Sequence, residues 1–134
     1  MSNPALKRDD LIFPELSYTI IGCAYEVFNE LGPGHAEKYY QRAMAIAFSQ
    51  KKIRFKEQVY YSLKFKEEII GKIFLDFLIE DKIVVEIKKN DRFSKNHIDQ
   101  VFDYLHQTKM QLAILINFNA KGIVSKRIVN TLDS

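Results

Sequence analysis

The sequence predicts a mixed α/β (α+β) domain in which helices pack on a sheet. Apolar residues first recur at spacings of three and four, the period of a helix. From Arg54 onward they alternate, the period of a strand, and an apolar run of strand length then follows a further helical stretch. The succession reads α, α, β, β, β, α, β, β.

Residues 16–31 read as a helix, since Leu16, Ile20, Ala24, Val27, Phe28 and Leu31 fall on one face. Gly32-Pro33-Gly34 ends it, because glycine suits the position after the last turn and proline cannot continue. A second helix is expected over residues 34–50, with Ala36, Tyr40, Ala43, Met44 and Ala47 as its stripe. Val59, Tyr61, Leu63 and Phe65 alternate with Tyr60, Ser62, Lys64 and Lys66, the pattern of a half-exposed strand. A turn at Glu67-Glu68 leads into residues 69–79, rich in Ile, Phe and Leu and expected to form a central strand. Glu80-Asp81-Lys82 turns into a short strand over residues 83–88. Ser94 suits the N-cap of a third helix, whose buried face carries Ile98, Val101, Phe102 and Leu105. Residues 111–117 read as a buried strand, and residues 123–130, after a break at Gly122, as an edge strand.

With 134 residues, 47% of them hydrophobic and 28% charged, the chain is expected to be globular and large enough to bury its own core. Residues 1–15 are expected to form an N-terminal arm, with Pro4 and Pro14 bracketing Lys7, Arg8, Asp9 and Asp10; residues 16–134 form a single domain. Cys23 is the sole cysteine, which excludes an intramolecular disulfide and fits a reducing, cytoplasmic setting. It lies between apolar residues and reads as an inert core thiol. No apolar stretch is long enough to span a bilayer, so no membrane partner is expected. Twenty Lys and Arg against 17 Asp and Glu leave a net charge of +3, which permits a nucleic-acid partner without requiring one.

Asp76, Glu86 and Lys88 stand out as ionisable residues inside apolar strands. Glu86 and Lys88 share one strand face. If residues 80–82 form a three-residue loop, Ile79 lies opposite Ile83 and Asp76 falls opposite Glu86, with Cβ atoms about 4.5–5.5 Å apart. A slip of one residue would send Glu86 to the other face. Two converging carboxylates repel, and burying them costs several kcal/mol without compensating charge. Lys88 supplies part of it, and Mg²⁺ (or Mn²⁺), a hard cation that takes one or two carboxylates and keeps several waters, would supply the rest. A metal-held water beside a lysine is a nucleophile suited to phosphodiester hydrolysis. The plain alternative for the same three residues is a solvated salt-bridge face.

Lys89, Arg92 and Lys95 follow this strand into a loop where a phosphate backbone would be gripped, unless they simply form a soluble surface. Gln100 and Tyr104 lie at i and i+4 beside the apolar stripe, where they would line a cleft or rim the core; Tyr104 is counted with the nucleic-acid-binding set. His35, His97 and His106 lack metal-ligand spacing. His97 and His106 are expected to face solvent, with His97 at the helix start within reach of a phosphate. Phe93, Tyr60 and Tyr61 are aromatics that would stack on bases if exposed, although strand aromatics more often belong to a core.

Asp76 followed by Glu86-Ile87-Lys88 on the next strand resembles the D…(D/E)-x-K core of the PD-(D/E)XK nuclease superfamily. Gly34-His35-Ala36-Glu37-Lys38-Tyr39-Tyr40 resembles the motif of its GxxExxY branch, preceded by Leu31-Gly32-Pro33. Gln100 with Tyr104-Leu105, Leu115-Ile116-Asn117-Phe118 and Lys126-Arg127-Ile128-Val129 extend the likeness over residues 16–130. The resemblance implies a restriction-endonuclease-like αβββαβ core with a mixed sheet flanked by helices. It implies metal ligation by Asp76, Glu86 and the Ile87 carbonyl, with Lys88 as catalytic lysine. Glu37 would help hold the metal or its water, and Gln100 would point at the same site. The chain departs from the pattern at Leu75, where the superfamily name has proline, at Asp103, where asparagine is expected, and at His35, where a larger apolar residue is usual.

The first reading is therefore an Mg²⁺-dependent nuclease acting on DNA or RNA. A second is a catalytically silent nucleic-acid-binding or protein-assembly module on the same fold, and a third an antitoxin-like regulatory partner. A homodimer would let so small a nuclease engage both strands.

Overall fold

The computed structural model of the chain describes residues 12–89 and 92–131. Helices α1 (Pro14–Leu31) and α2 (Glu37–Gln50) precede strands β1 (Phe55–Phe65), β2 (Glu68–Ile79) and β3 (Ile83–Lys88); α3 (Lys95–Thr108), β4 (Leu112–Asn119) and β5 (Gly122–Val129) follow. The strands form one sheet in the order β1-β2-β3-β4-β5. β3 and β4 are parallel and the other neighbours antiparallel. α3 joins the parallel pair, as a crossover requires.

The sheet separates two cores. Ile20, Phe48, Phe77, Ile79, Val85 and Ile116 pack under α1 and α2, while Leu75, Val84, Val101, Leu105, Ala113 and Leu115 pack under α3. β3 and β4 are thus covered on both faces, which is why they read as continuous apolar runs rather than alternating ones. Cys23 is fully buried in the first core, and burial above all pushes its thiol pKa up, as an inert core thiol requires.

Several boundaries differ from the sequence expectation, each for a backbone reason. α1 opens at Pro14, because Phe13 adopts a left-handed conformation (φ 49) and proline is preorganised for the first helical turn. Ile12 and Phe13 pack on the first core, so the domain includes residues assigned to the arm; residues 1–11, with the charged patch, lie outside the described residues. α2 opens at Glu37 rather than at residue 34, since Gly34 has φ 94 and Ala36 is extended. The first hairpin turns at Lys66 and Glu67 (φ 50 and 70), the two left-handed residues of a type I′ turn, so Glu68 already belongs to β2. β2 lies inside the sheet between β1 and β3, as expected, but only its inner half is covered: Ile69 and Ile70 on the outer half are 61% and 63% exposed. Among the described residues no helix is long and apolar enough to cross a membrane.

Tyr40 fixes where α2 begins. Its hydroxyl donates to the Gly32 carbonyl at 2.7 Å and accepts from the His35 N–H at 3.3 Å. Its ring stacks on Phe118 of β4 with centroids 4.3 Å apart and planes 7° from parallel. The loop between the helices is thereby tied to the sheet. α3 is fixed by Ser94, whose side chain accepts from the His97 N–H at 3.1 Å, the expected N-cap. Tyr40→Phe removes both hydroxyl bonds while keeping the stack, and is expected to lower unfolding free energy by about 1 kcal/mol in urea titrations. An unchanged midpoint would mean that these bonds contribute nothing to the fold.

Candidate active site

β2 turns over at Asp76. Phe77 and Ile79 face the first core, yet Leu75 faces the second, although residues two apart on a regular strand share a face. β1 switches in step, from Phe55 in the first core to Val59 in the second, with Gln58 between them at φ 54. The β1–β2 register passes from Glu57↔Phe77 to Val59↔Leu75 without pairing Gln58 and Asp76. The β2–β3 register keeps Ile79 opposite Ile83, as expected, but runs only as far as Phe77↔Val85.

Side chains take over where the ladder lapses. The Asp76 N–H donates to Glu86 Oε1 at 3.0 Å, and the Ile87 N–H donates to Asp76 Oδ2 at 2.7 Å. The expected convergence of Asp76 and Glu86 is present, but as a reciprocal clasp in which each carboxylate holds the backbone of the other strand. Gln41 of α2 donates through Nε2 to Asp76 Oδ1 at 3.1 Å. Lys88 Nζ stands 3.5 Å from Glu86 Oε2 and 3.9 Å from Glu37 Oε2. The Lys89 N–H donates to Glu37 Oε1 at 3.1 Å.

The two central carboxylates are buried, at 9% exposure for Asp76 and 7% for Glu86. Desolvation raises the pKa of Asp76, offset in part by the Ile87 N–H. Glu86 is pushed up to about 8, chiefly by desolvation and then by the charge of Asp76, with Lys88 opposing. Without an ion, desolvation therefore favours the protonated form of the pair.

The donor set suits a hard divalent cation: two carboxylates with the Ile87 carbonyl on the same strand, all oxygen. Among the described residues no three or more His, Cys, Asp and Glu side chains gather as a metal-holding group. Two carboxylates are enough for an ion such as Mg²⁺, which retains water in its remaining positions. Glu37, expected beside the metal, is engaged on the lysine side, with Lys88 and the Lys89 N–H.

The remaining sequence-predicted residues divide. Gln100 is exposed on α3 and has no hydrogen bond to the carboxylates. Tyr104 is corrected: it is 4% exposed, packs edge-on to Tyr61 with centroids 5.8 Å apart, and belongs to the second core, so it presents no face to nucleic acid. Lys89 is exposed next to Glu37 and Arg92 is exposed ahead of α3, and residues 90–91 between them lie outside the described residues. Lys95 is exposed too, but its Nζ is paired with Asp99 Oδ2 at 2.7 Å. His97 does not face solvent as expected. It is half-buried, its Nδ1 is buried without a hydrogen-bond partner, and burial followed by the charge of Lys88 holds its pKa down, with Glu37 opposing. Gln41 is the residue that sequence reasoning missed. Gln41 carried a usable signal, since it lies one helical turn after Glu37 and so shares its face.

The sign of the Glu86 shift gives a stability test. A carboxyl raised in the folded state keeps its proton while the unfolded chain has already lost it. The unfolded state then binds fewer protons and stability falls with rising pH. The metal-free protein is expected to lose stability between pH 4.5 and about 8, and Glu86→Gln to flatten that fall, in urea titrations with chelator. An equal slope in wild type and Glu86→Gln would contradict the shift.

A family model of the PD-(D/E)XK nuclease superfamily matches residues 14–129. No curated protein matches the chain. The crystal structure of SSO0001 superposes with a TM-score of 0.54 at 17% identity, covering 97% of this chain. The chain spans 63% of the length of that protein. The crystal structure of an alkaline exonuclease from Laribacter hongkongensis gives a TM-score of 0.46 at 12% identity, covering 84% of this chain and 81% of that one. The fold is restriction-endonuclease-like, a five-stranded mixed sheet flanked by helices. With nearly the whole described chain under one family model, and an acidic pair and a lysine meeting where β2 parts from β3, the protein belongs to the PD-(D/E)XK nuclease superfamily.

Proposed function

We propose that this chain is a nuclease that hydrolyses phosphodiester bonds of nucleic acid with the help of Mg²⁺ or Mn²⁺. The observation that carries the reading is the burial of Asp76 and Glu86 against each other with Lys88 Nζ 3.5 Å from Glu86. A structural salt bridge needs one acid for one lysine. Here two desolvated acids face a single ammonium, so burial favours a proton on the pair where a divalent cation would bind instead.

Asp76 and Glu86 would hold the ion, with the Ile87 carbonyl as a further oxygen. An ion held there would supply an activated water and offset charge developing on the phosphate. Lys88 would hydrogen-bond that water or the phosphoryl oxygens as charge develops on them. Glu37 positions the lysine from the far side, through the 3.9 Å contact and the Lys89 N–H. Gln41 keeps Asp76 oriented. Lys89, exposed next to Glu37, and Arg92, exposed ahead of α3, would grip the backbone of the substrate.

We also assign the chain to the GxxExxY branch. Each motif position has a job that supports this: Gly34 takes the left-handed turn (φ 94), Glu37 engages Lys88 and Lys89, and Tyr40 anchors the loop. The fully buried Cys23 suits the reducing cytoplasm in which such an enzyme would act.

The test is a cleavage panel of plasmid, single-stranded DNA and RNA with Mg²⁺, Mn²⁺ or chelator. Metal-dependent cleavage is expected, with Glu86→Ala and Lys88→Ala each lowering it by about a hundredfold or more while circular dichroism stays unchanged. Cleavage that survives both substitutions, or binding without turnover in every divalent ion, would overturn the proposal.

A further inference from the structure

β1 and β2 outrun the sheet that carries them. β3 pairs with β2 only over Phe77, Leu78 and Ile79, whereas β1 and β2 stay paired outward to Phe65↔Glu68. Beyond Asp76 the hairpin has one side against α3, through Val59, Tyr61 and Leu75 of the second core. Strand alternation turns Tyr60, Ser62, Lys72 and Phe74 to the opposite side, the one from which Gln41 of α2 reaches Asp76.

That side is built from rings and a cation. Tyr60 and Phe74 are register partners with centroids 5.4 Å apart, and they are 49% and 52% exposed. Ser62 and Lys72 form the next pair, and Lys72 Nζ lies 4.7 Å from the Tyr60 centroid. Lys64 and Lys66 stand further along the hairpin. The only acids between Val59 and Phe74 are Glu67 and Glu68, both at the tip and away from the rings. Paired open rings beside a lysine, with no acid among them, match the stacking faces of unpaired bases and the charge of their phosphates. A duplex hides its base faces in its own stack and leaves the rings nothing to stack on. Phe74 is two residues from Asp76, about 7 Å along a strand, so the platform runs directly into the carboxylates.

We propose that the Tyr60–Phe74 platform, with Lys72, binds an unpaired stretch of the nucleic-acid substrate and leads it to Asp76 and Glu86. This rests on the nuclease reading and adds the substrate class: single-stranded nucleic acid, or the single-stranded part of a larger one.

The test measures binding and chemistry separately on the full chain. Fluorescence anisotropy with chelator present compares a labelled oligothymidine with a labelled duplex. The double variant Tyr60→Ala/Phe74→Ala is expected to lose about tenfold or more in affinity for the single strand, with duplex affinity little changed. Tyr60→Phe, which keeps the ring, is expected to bind as wild type does, and Lys72→Ala to reduce the salt slope by about one. Hydrolysis of bis(p-nitrophenyl) phosphate with Mn²⁺, which needs only the carboxylates and Lys88, is expected to be unaffected in all three. Single-strand affinity that survives the double substitution, or equal losses for single strand and duplex, would overturn the platform. So would light scattering that shows a wild-type dimer falling to monomer in the double variant, since the face would then serve self-association. Absence of hydrolysis in the wild type would overturn the nuclease reading instead, with the anisotropy arm still judging the platform.

Discussion

The site depends on one exchange of hydrogen bonds. Where β2 parts from β3, the Asp76 N–H and the Ile87 N–H lack strand partners, and the carboxylates of Glu86 and Asp76 take those places. Buried backbone donors left unpaired would be costly, so the clasp is a structural necessity whatever else the two acids do. It also forces two acids into one desolvated space. Desolvation above all raises both pKa values, and the charge of Asp76 adds to the shift of Glu86. The oxygens not engaged by backbone are Asp76 Oδ1, which accepts from Gln41, and Glu86 Oε2, which faces Lys88. The same two side chains thus close the strand junction and form the candidate site.

The surrounding elements serve that junction. Tyr40 ties the loop before α2 to β4, so that Glu37 emerges at the end of β3 and Gln41 reaches Asp76 one turn later. Buried Asn117 stands beside Lys88 in the β3–β4 register. Ser94 caps α3 and so sets the height at which His97 meets the lysine side of the site. Beyond the junction, the free reach of β1 and β2 carries aromatic rings and lysines outward, a surface that the core has no use for.

Much of this was legible in the chain. The order of elements follows from periodicity, and the opposition of Ile79 and Ile83 follows from a three-residue loop. Extending that register arithmetic brings Asp76 and Glu86 together, as the structure does, though it assumes a regular ladder. The ladder instead turns over at Asp76 and Gln58, and nothing in apolar alternation marks a left-handed Gln58. Tyr104 lies at a helical position that suits a core and a cleft equally, and only packing against Tyr61 decides it. His97 reads as a polar residue at a helix start; its position against Lys88 and Glu37 depends on how α3 lies across the sheet. The overlong reach of β1 and β2 is set by the shortness of β3, a relation between segments rather than a property of either.

Calorimetric titration of Mg²⁺ and Mn²⁺ into the metal-free protein, repeated in two buffers of different ionisation enthalpy, tests the shared acid site most directly. The account predicts one ion per chain, proton release near neutral pH as Glu86 ionises, and loss of the binding isotherm in both Asp76→Ala and Glu86→Ala. Binding that persists in either variant, or no binding by the wild type, would contradict it.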